Sequence, residues 1–467
     1  MIGMMFRDVL PATVNELRSL AVLAQRHEVT VVRDVEGRIR IILGTHDPAT
    51  APLPDQPTLQ AMAAALGARL GAWLSTAPIW LDSAPHPKKK MEPEKRAENL
   101  ALQLARTYRV PAPWASQASD PSWFLLERHA AKRAWVGEVE PNPPWTIGEV
   151  DSSQKPPVLT FFSHKGGVGR STALVATALH LARAGKKVAV VDLDIEAPGL
   201  ASLVLPGEPS AGALDYLVDG GVATGTRVSD VTSFVSDTSF VESGPGLQVV
   251  SAGPVDDAFL EMLARIDLQD AAASSALAGR IRQLFLDLNA SSVDSPPGLG
   301  PFDFILVDAR AGLHEVAGLM LAGLSHGAVV VATGSPQSWM GVKRVARILS
   351  APYVRSGRDP RPLLLVHGMA PSATDPRHEM ETKEFRTKAY DELCADYYPN
   401  DQIPDQNDPE RPHWPVVIPW STDLRGGGGL LTPPIIEVLM GKPYRELAVR
   451  LGRLFGRSLR WSGEGAS

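Results

Sequence analysis

The sequence predicts an α/β protein: a mainly parallel sheet with helices on both faces, plus a smaller N-terminal α+β domain. Three observations carry this. Seven short apolar runs after Pro157 read as strands. Helical patterns lie between most of them, which implies parallel pairing. The part before the proline-rich stretch around Pro141–Pro157 follows a different, mixed pattern.

The N-terminal elements come first. Val14, Leu17, Leu20 and Leu23 recur at helical spacing. Glu28–Asp34 and Arg38–Leu43 then alternate as strands, with Val29 and Val31 on one face and Ile39 and Ile41 on the matching face. Val35-Glu36-Gly37 supplies the turn, so the pair reads as a hairpin. Leu59, Met62, Leu66, Leu70 and Trp73 mark a further helical stripe. Residues 84–98 are rich in proline and charge and read as a connector. Helical stretches are expected near Glu94–Tyr108 and again near Trp123–Val136. The division that follows is an N-terminal α+β domain over 1–140, a proline-rich linker over 141–157, and a main domain over 158–467. Trp73, Trp80, Trp114, Trp123, Trp135 and Trp145 are either core residues or an interaction surface.

The main domain's strands are expected at Val158–Phe162, Lys187–Asp192, Leu247–Ala252, Phe304–Asp308, Ala328–Thr333, Leu363–His367 and Val416–Ile418. Apart from the short run Gly426–Gly429 there is no low-complexity tract.

Composition narrows the function classes. The chain has 467 residues, too many for one core and suited to two or three domains. Its formal charge of −6 argues against a protein coated in nucleic acid along its length. Cys394 is the single cysteine, so one chain forms no internal disulfide and no thiolate-rich zinc or iron–sulfur site. That fits a reducing cytoplasm. Met1–Leu10 carries Arg7 and Asp8 where a signal peptide needs apolar residues. The most apolar stretch, Val316–Thr333, is interrupted by Ser325, His326 and several glycines.

The chemistry concentrates after the first of these strands. Leu159–Ser163 runs into His164-Lys165-Gly166-Gly167-Val168-Gly169-Arg170-Ser171-Thr172, and a helical pattern with Leu174, Ala178, Leu181 and Ala182 follows. Glycines let backbone N–H groups turn toward phosphate oxygens, and a helix N-terminus adds positive dipole character there. The Ser171 hydroxyl stands where such loops ligand magnesium.

Lys165-Gly166-Gly167-Val168-Gly169-x-Ser171-Thr172 resembles the deviant Walker A loop of the ParA/MinD family of P-loop ATPases, in the SIMIBI class. The resemblance covers roughly 157–455. It implies ATP and Mg²⁺ as ligands, with Lys165 reaching across a nucleotide-sandwiched homodimer to the partner's phosphates. One departure stands out. The lysine usual before the Ser/Thr is Arg170, as in the variants described as KGGVGR-motif ATPases. Arginine keeps the charge but is larger and planar. Binding is therefore expected to survive, with hydrolysis slow or partner-stimulated. A non-hydrolysing scaffold is the alternative.

The carboxylates come next. Asp192-Leu193-Asp194 ends the second strand, and alternate positions point to one side. The resemblance implies that Asp194 orients the attacking water and Asp192 supports the metal; a pair of capping aspartates is the alternative. Phe302–Asp308 resembles a Walker B strand, in which Asp308 holds magnesium through water. Gly312 then offers a flexible switch, and Arg310 and His314 beside it read as ordinary surface contacts, with contact to phosphate or a partner as the alternative. No asparagine follows Leu363–Val366 to read the base, while Pro419 and Trp420 resemble the family's adenine-lining segment.

Two further signals concern partners. Tyr444–Trp461 is amphipathic and arginine-rich, so it either packs on its own domain or lies on an anionic membrane. Lys343, Arg344, Arg347, Arg355, Arg358 and Arg361 are either a solvated face or a patch for non-specific DNA. The resemblance implies a partner protein and leaves open segregation, division positioning, replication and multi-gene conflict systems as settings.

Overall fold

The computed structural model describes residues 4–20, 27–34, 36–45, 52–82, 101–103, 105–115, 122–128, 132–137, 139–147, 155–219, 226–235, 241, 246–266, 271–290, 301–424 and 432–459. The chain divides into two compact units, Met1–Ala130 and Ala131–Ser467. The 84–98 connector, the glycine run 426–429, Leu23, Val35, Arg460 and Trp461 lie outside the described residues.

In the first unit, helix α1 (Phe6–Ser19) precedes β1 (His27–Arg33) and β2 (Ile39–Thr45). The two strands pair antiparallel with Val31 opposite Ile41, which is the predicted hairpin. Helix α2 (Gln56–Leu70) is capped by Asp55, which accepts from the Thr58 N–H, and buries Met62, Leu66 and Leu70. Strands β3 (Leu74–Asp82), β4 (Val110–Pro111) and β5 (Ser122–Glu127) complete a sheet of order β3-β2-β1-β5-β4. Residues 101–103 and 105–108 are helical, within the expected second helical stretch.

Two sequence expectations fail here. Trp123–Val136 is not a helix: Ser122–Glu127 is a strand that pairs parallel with β1, and 133–137 is a turn. The four apolar residues Trp123–Leu126 are too few for their period to separate strand from helix. Strand β3 went unread because Pro78 interrupts it, and it lies at the sheet edge, where proline is tolerated.

The second unit follows the predicted alternation. In order it runs β6 (Val158–Phe162), α3 (Arg170–Arg183), β7 (Val188–Leu193), α4 (Leu200–Val204), α5 (Ala213–Asp219), β8 (Thr232–Val235), β9 (Leu247–Val250), α6 (Asp257–Arg265) and α7 (Ala271–Asn289). Then come β10 (Phe304–Ala309), α8 (Glu315–Leu319), β11 (Gly327–Ala332), α9 (Pro336–Arg355), β12 (Leu363–Ala370), α10 (His378–Asp396), β13 (Val416–Pro419), α11 (Pro433–Leu439) and α12 (Lys442–Leu454).

The sheet order is β13-β12-β11-β6-β10-β7-β9-β8. All seven predicted strands are present and parallel; the unpredicted β8 pairs antiparallel at the edge. Strands β6, β7, β10 and β11 are buried at every residue, which explains their unbroken apolar runs. Cores lie on both faces. Leu174, Leu181, Leu447 and Leu451 belong to one; Phe162, Phe285, Trp339 and Phe385 belong to the other. From β6 the chain first moves to one side of the sheet, then returns to place β11 on the other. The carboxyl ends of β6 and its neighbour β10 therefore face a crevice, where ligands of open α/β sheets bind.

Candidate functional site

The glycine-rich loop leaves β6 and enters α3 as predicted. Gly167 and Gly169 have φ of +72° and +89°, backbone that L side chains rarely adopt. Gly169 is the N-cap of α3. A Cβ built on Gly166, Gly167 or Gly169 meets nothing within 4 Å, so packing does not demand these glycines; chain path and an open approach to the amides do. Lys165, Gly166 and Gly167 are exposed, whereas Val168 is buried.

The loop is braced from behind by two glycines that sequence reasoning did not connect with it. A Cβ on Gly341, in α9, would lie 2.1 Å from the His164 Cβ. A Cβ on Gly368, in β12, would lie 2.6 Å from the Val168 carbonyl oxygen. A glycine inside a strand signals a close backbone approach, but the expected strand stopped at His367, one residue short of Gly368.

The predicted carboxylates converge on the loop. Asp308 and Asp192 are register partners on β10 and β7. Ser171 Oγ donates to Asp308 Oδ2 at 2.5 Å. Arg170 donates from Nη2 to Asp194 Oδ2 at 2.9 Å, and its Nε lies 2.5 Å from Asp308 Oδ1. All three side chains are at least nine-tenths buried. Burial alone would lower the Arg170 pKa, but Asp308 and Asp194 outweigh it and hold the guanidinium above its usual range. Burial pushes Asp308 up, opposed by Arg170 and Ser171.

Asp192 is placed differently. Its Oδ1 accepts from the Asp194 N–H at 3.0 Å, and its Oδ2 accepts from Leu200 at 3.1 Å and Gly199 at 3.4 Å. This carboxyl shapes the 194–200 loop from beneath. Burial, then the charge of Asp308, pushes its pKa up to about 7.

Thr172 lies in the first turn of α3 and lines the same 410 Å³ cleft as Gly166, Arg170, Ser171, Asp194 and Arg310. Pro419 ends β13 opposite Ala370, and the Trp420 N–H donates to the Ala370 carbonyl at 2.9 Å. Neither residue lines that cleft, although Trp420 is 44% exposed at the same end of the sheet.

A second ionic cluster joins the two loops flanking the cleft. Glu196 pairs with Arg310 at 2.7 Å and with His314 Nε2. The sequence left Arg310 and His314 between ordinary surface contacts and contacts to phosphate or a partner, and did not connect them with Glu196, which is far away along the chain.

The donor set suits a hard cation. Among the described residues, Asp194 Oδ1 is buried without a hydrogen-bond partner, Asp308 Oδ1 meets only the Arg170 Nε, and the Ser171 hydroxyl is adjacent to the Asp308 carboxylate. Carboxylate and hydroxyl oxygens are the ligands Mg²⁺ prefers.

The amphipathic C-terminal segment packs on its own unit. Leu447 and Leu451 are fully buried, and Arg450 donates to the carbonyls of Trp414 and Arg411. Among the described residues, no helix is long and apolar enough to cross a membrane. The basic cluster is dispersed. Lys343 pairs with Glu392, Arg347 pairs with Asp396, and Arg361 is buried against the carbonyls of Leu321, Ala322 and Ser325.

Residues 156–262 match the model of the ParA family, described as NUBPL iron-transfer P-loop NTPase. A curated relative, the cytosolic Fe-S cluster assembly factor nubp2 of Xenopus tropicalis, is 27% identical over 165 residues. That alignment covers 35% of this chain and 53% of the relative, so the chain spans about half the length of the curated relative it matches. Among solved structures, the septum site-determining protein MinD of Pyrococcus horikoshii OT3, complexed with Mg-ADP, is 19% identical with a TM-score of 0.41. It covers 64% of this chain and 98% of its own. A ParA family ATPase from Chlorobium tepidum TLS is 15% identical with a TM-score of 0.40, covering 64% of this chain and 100% of its own. Over residues 156–262, this chain is similar to the ParA family of P-loop NTPases.

Proposed function

We propose that the second unit binds Mg-ATP and hydrolyses it as a molecular switch. Two copies close around nucleotide, with Lys165 crossing to the partner's phosphates. The first unit carries the output to a partner protein. The observation that carries this reading is the convergence of Arg170 and Ser171, at the start of α3, on Asp194 and Asp308 at two strand ends.

In this reading the amides of Gly166–Thr172 cradle the phosphates, assisted by the α3 N-terminus. Ser171 and Asp308 would hold Mg²⁺, and Asp192 would support it by shaping the Asp194 loop. The ion, when bound, would neutralise phosphate charge and align the γ-phosphate. Arg170 turns from its carboxylates to the phosphate oxygens, which frees Asp194 to orient the attacking water. Pro419 and Trp420 flank the base, and adenine is the proposed one. The protein works in the cytoplasm. An iron–sulfur carrier role, raised by the name of the curated relative, meets a chemical obstacle: clusters are held by several thiolates, and the sequence has Cys394 alone.

A second reading rests on Arg170 itself. A guanidinium holding both catalytic carboxylates is a large planar group at a place that favours a compact charge. If it stays there with ATP bound, the protein is a non-hydrolysing nucleotide-dependent scaffold.

The deciding experiment measures ATP and GTP binding and turnover by the full chain while recording its mass with and without nucleotide. Mg-dependent ATP turnover with a nucleotide-dependent dimer is expected. Lys165→Ala should keep nucleotide binding and lose that dimer. Absence of nucleotide binding would overturn both readings, and binding without single-turnover hydrolysis would select the scaffold.

A further inference from the structure

Trp135 lies in the stretch just before β6, outside every motif discussed so far, yet it touches two elements of the phosphate site. It is 3% exposed. Its ring packs 5.7 Å, centroid to centroid, from that of Phe162, the last residue of β6 before the loop. Its Nε1 donates to the His314 carbonyl at 2.6 Å. Two residues of this stretch thus grip the segment that follows Asp308, because the Lys132 N–H also donates to Glu315 Oε2 at 2.7 Å.

The fit leaves no slack. Gly318 in α8 sits beneath the indole, and a Cβ there would lie 2.6 Å from Trp135 Nε1 and 3.1 Å from the Ala134 Cβ. Lys132 adopts a φ of +60°, uncommon for a residue with a side chain and maintained only where surrounding contacts hold it. Further along, the Asn142 N–H donates to the Gly323 carbonyl, and His326 Nε2 donates to the Trp145 carbonyl. The stretch is therefore fastened along α8 and the turn after it.

The gripped segment is itself tied to the cleft. Gly312, with a φ of +82°, donates its N–H to the Ser163 carbonyl at 3.0 Å. Arg310 and His314 are joined through Glu196 to the loop that carries Asp194. A rearrangement of residues 310–315 that accompanies phosphate binding has to move the His314 carbonyl, and Trp135 is hydrogen-bonded to it.

We propose that residues 132–137 are the output lever of this domain: Trp135 latches onto the His314 carbonyl, and nucleotide-driven movement of residues 310–315 changes that hold. The lever passes the state of the phosphate site to the chain that leads back into the first unit. It rests on the nucleotide reading above, and the test separates the two.

The test is amide hydrogen exchange of the full chain without nucleotide, with Mg-ADP, and with Mg²⁺ and a non-hydrolysable ATP analogue. Peptides covering 163–172 report nucleotide binding, and those covering 132–137 report the lever. Exchange in 132–137 should differ between the ADP and analogue states. Trp135→Phe keeps the aromatic packing but removes the indole N–H. It should speed exchange in 132–137 about five-fold without nucleotide, the effect of losing one hydrogen bond. It should also blunt the nucleotide response there while 163–172 still responds. Gly318→Ala, which displaces the indole, should do the same. A response in 163–172 with none in 132–137 overturns the lever alone. No response in either overturns the nucleotide reading and the lever with it.

Discussion

Arg170 Nη2 lies 2.9 Å from Asp194 Oδ2, so the first residue of α3 is bonded to a carboxylate carried by the loop after β7. The same guanidinium presses against Asp308. A protein cation thus balances two buried acids in the region where the donor set suits a metal ion. In the reading proposed above, loading of the cleft would be an exchange of cations, with Arg170 leaving its carboxylates as Mg²⁺ and phosphate enter.

Removing that internal cation should be costly without metal. Arg170→Ala leaves Asp194 and Asp308 buried and uncompensated, a change that destabilises by about 3–5 kcal/mol. In metal-free buffer the denaturant midpoint should fall, and added Mg²⁺ should recover part of the loss. Arg170→Lys should keep nucleotide binding and raise turnover, because a compact ammonium leaves Asp194 freer. An unchanged midpoint for the alanine variant would show that the ion pairs contribute nothing.

Asp194→Asn should keep nucleotide affinity within about tenfold while turnover falls by about 10²-fold or more, the usual weight of a positioned base. Single-turnover kinetics with saturating Mg-ATP measure this directly. Wild-type turnover in the variant would remove Asp194 from the water-orienting role.

Much of this could be read along the chain, and the reasons are local. Strand β6, the loop glycines and Asp308 are contiguous signals, since an apolar run, a turn and an acid each follow from neighbouring residues. What stayed hidden depends on contacts between distant positions. Gly341 braces His164, Glu196 joins Arg310 to His314, and Trp135 grips the His314 carbonyl, each across a span no periodicity covers. The misread stretch at Ser122–Glu127 belongs with these, because its partner β1 settles its conformation. Asp194 was legible as an acid near the loop, but its bond to Arg170 was not.

Bracing of the loop predicts an asymmetry between a glycine behind it and one within it. Gly341→Ala puts a Cβ 2.1 Å from the base of the His164 side chain, where no rotamer change relieves it. The expected result is a loss of about 1–3 kcal/mol of stability together with weaker ATP binding, as the loop is pushed from its place. Gly166→Ala adds a methyl to open space, so its melting should stay within about 0.5 kcal/mol of wild type. Equal melting of the two variants would show that the loop is not held from behind.

Acid sensitivity should trace partly to His326. Its Nδ1 accepts from the Val158 N–H, and its Nε2 donates to the Trp145 carbonyl, so the buried ring is held neutral at the start of β6. Burial lowers its pKa from 6.5 to about 4, with Arg361 acting in the same direction and the bond to Trp145 opposing. Above the unfolded value both states are neutral, and this residue adds no pH dependence. As the pH falls from 6.5 toward about 4, the unfolded chain takes up a proton that the folded chain refuses, so stability drops. Below that window both states are protonated and the slope ends. The full effect is about 3 kcal/mol. His180 and His367 are likewise lowered to about 4 and steepen the total, so the diagnostic quantity is the difference between wild type and His326→Gln. Denaturant midpoints measured at intervals from about pH 7.5, one unit above the unfolded value, down to the folded value of about 4 should converge as the pH falls, because glutamine carries no proton to lose or gain. Parallel curves would place the acid sensitivity elsewhere.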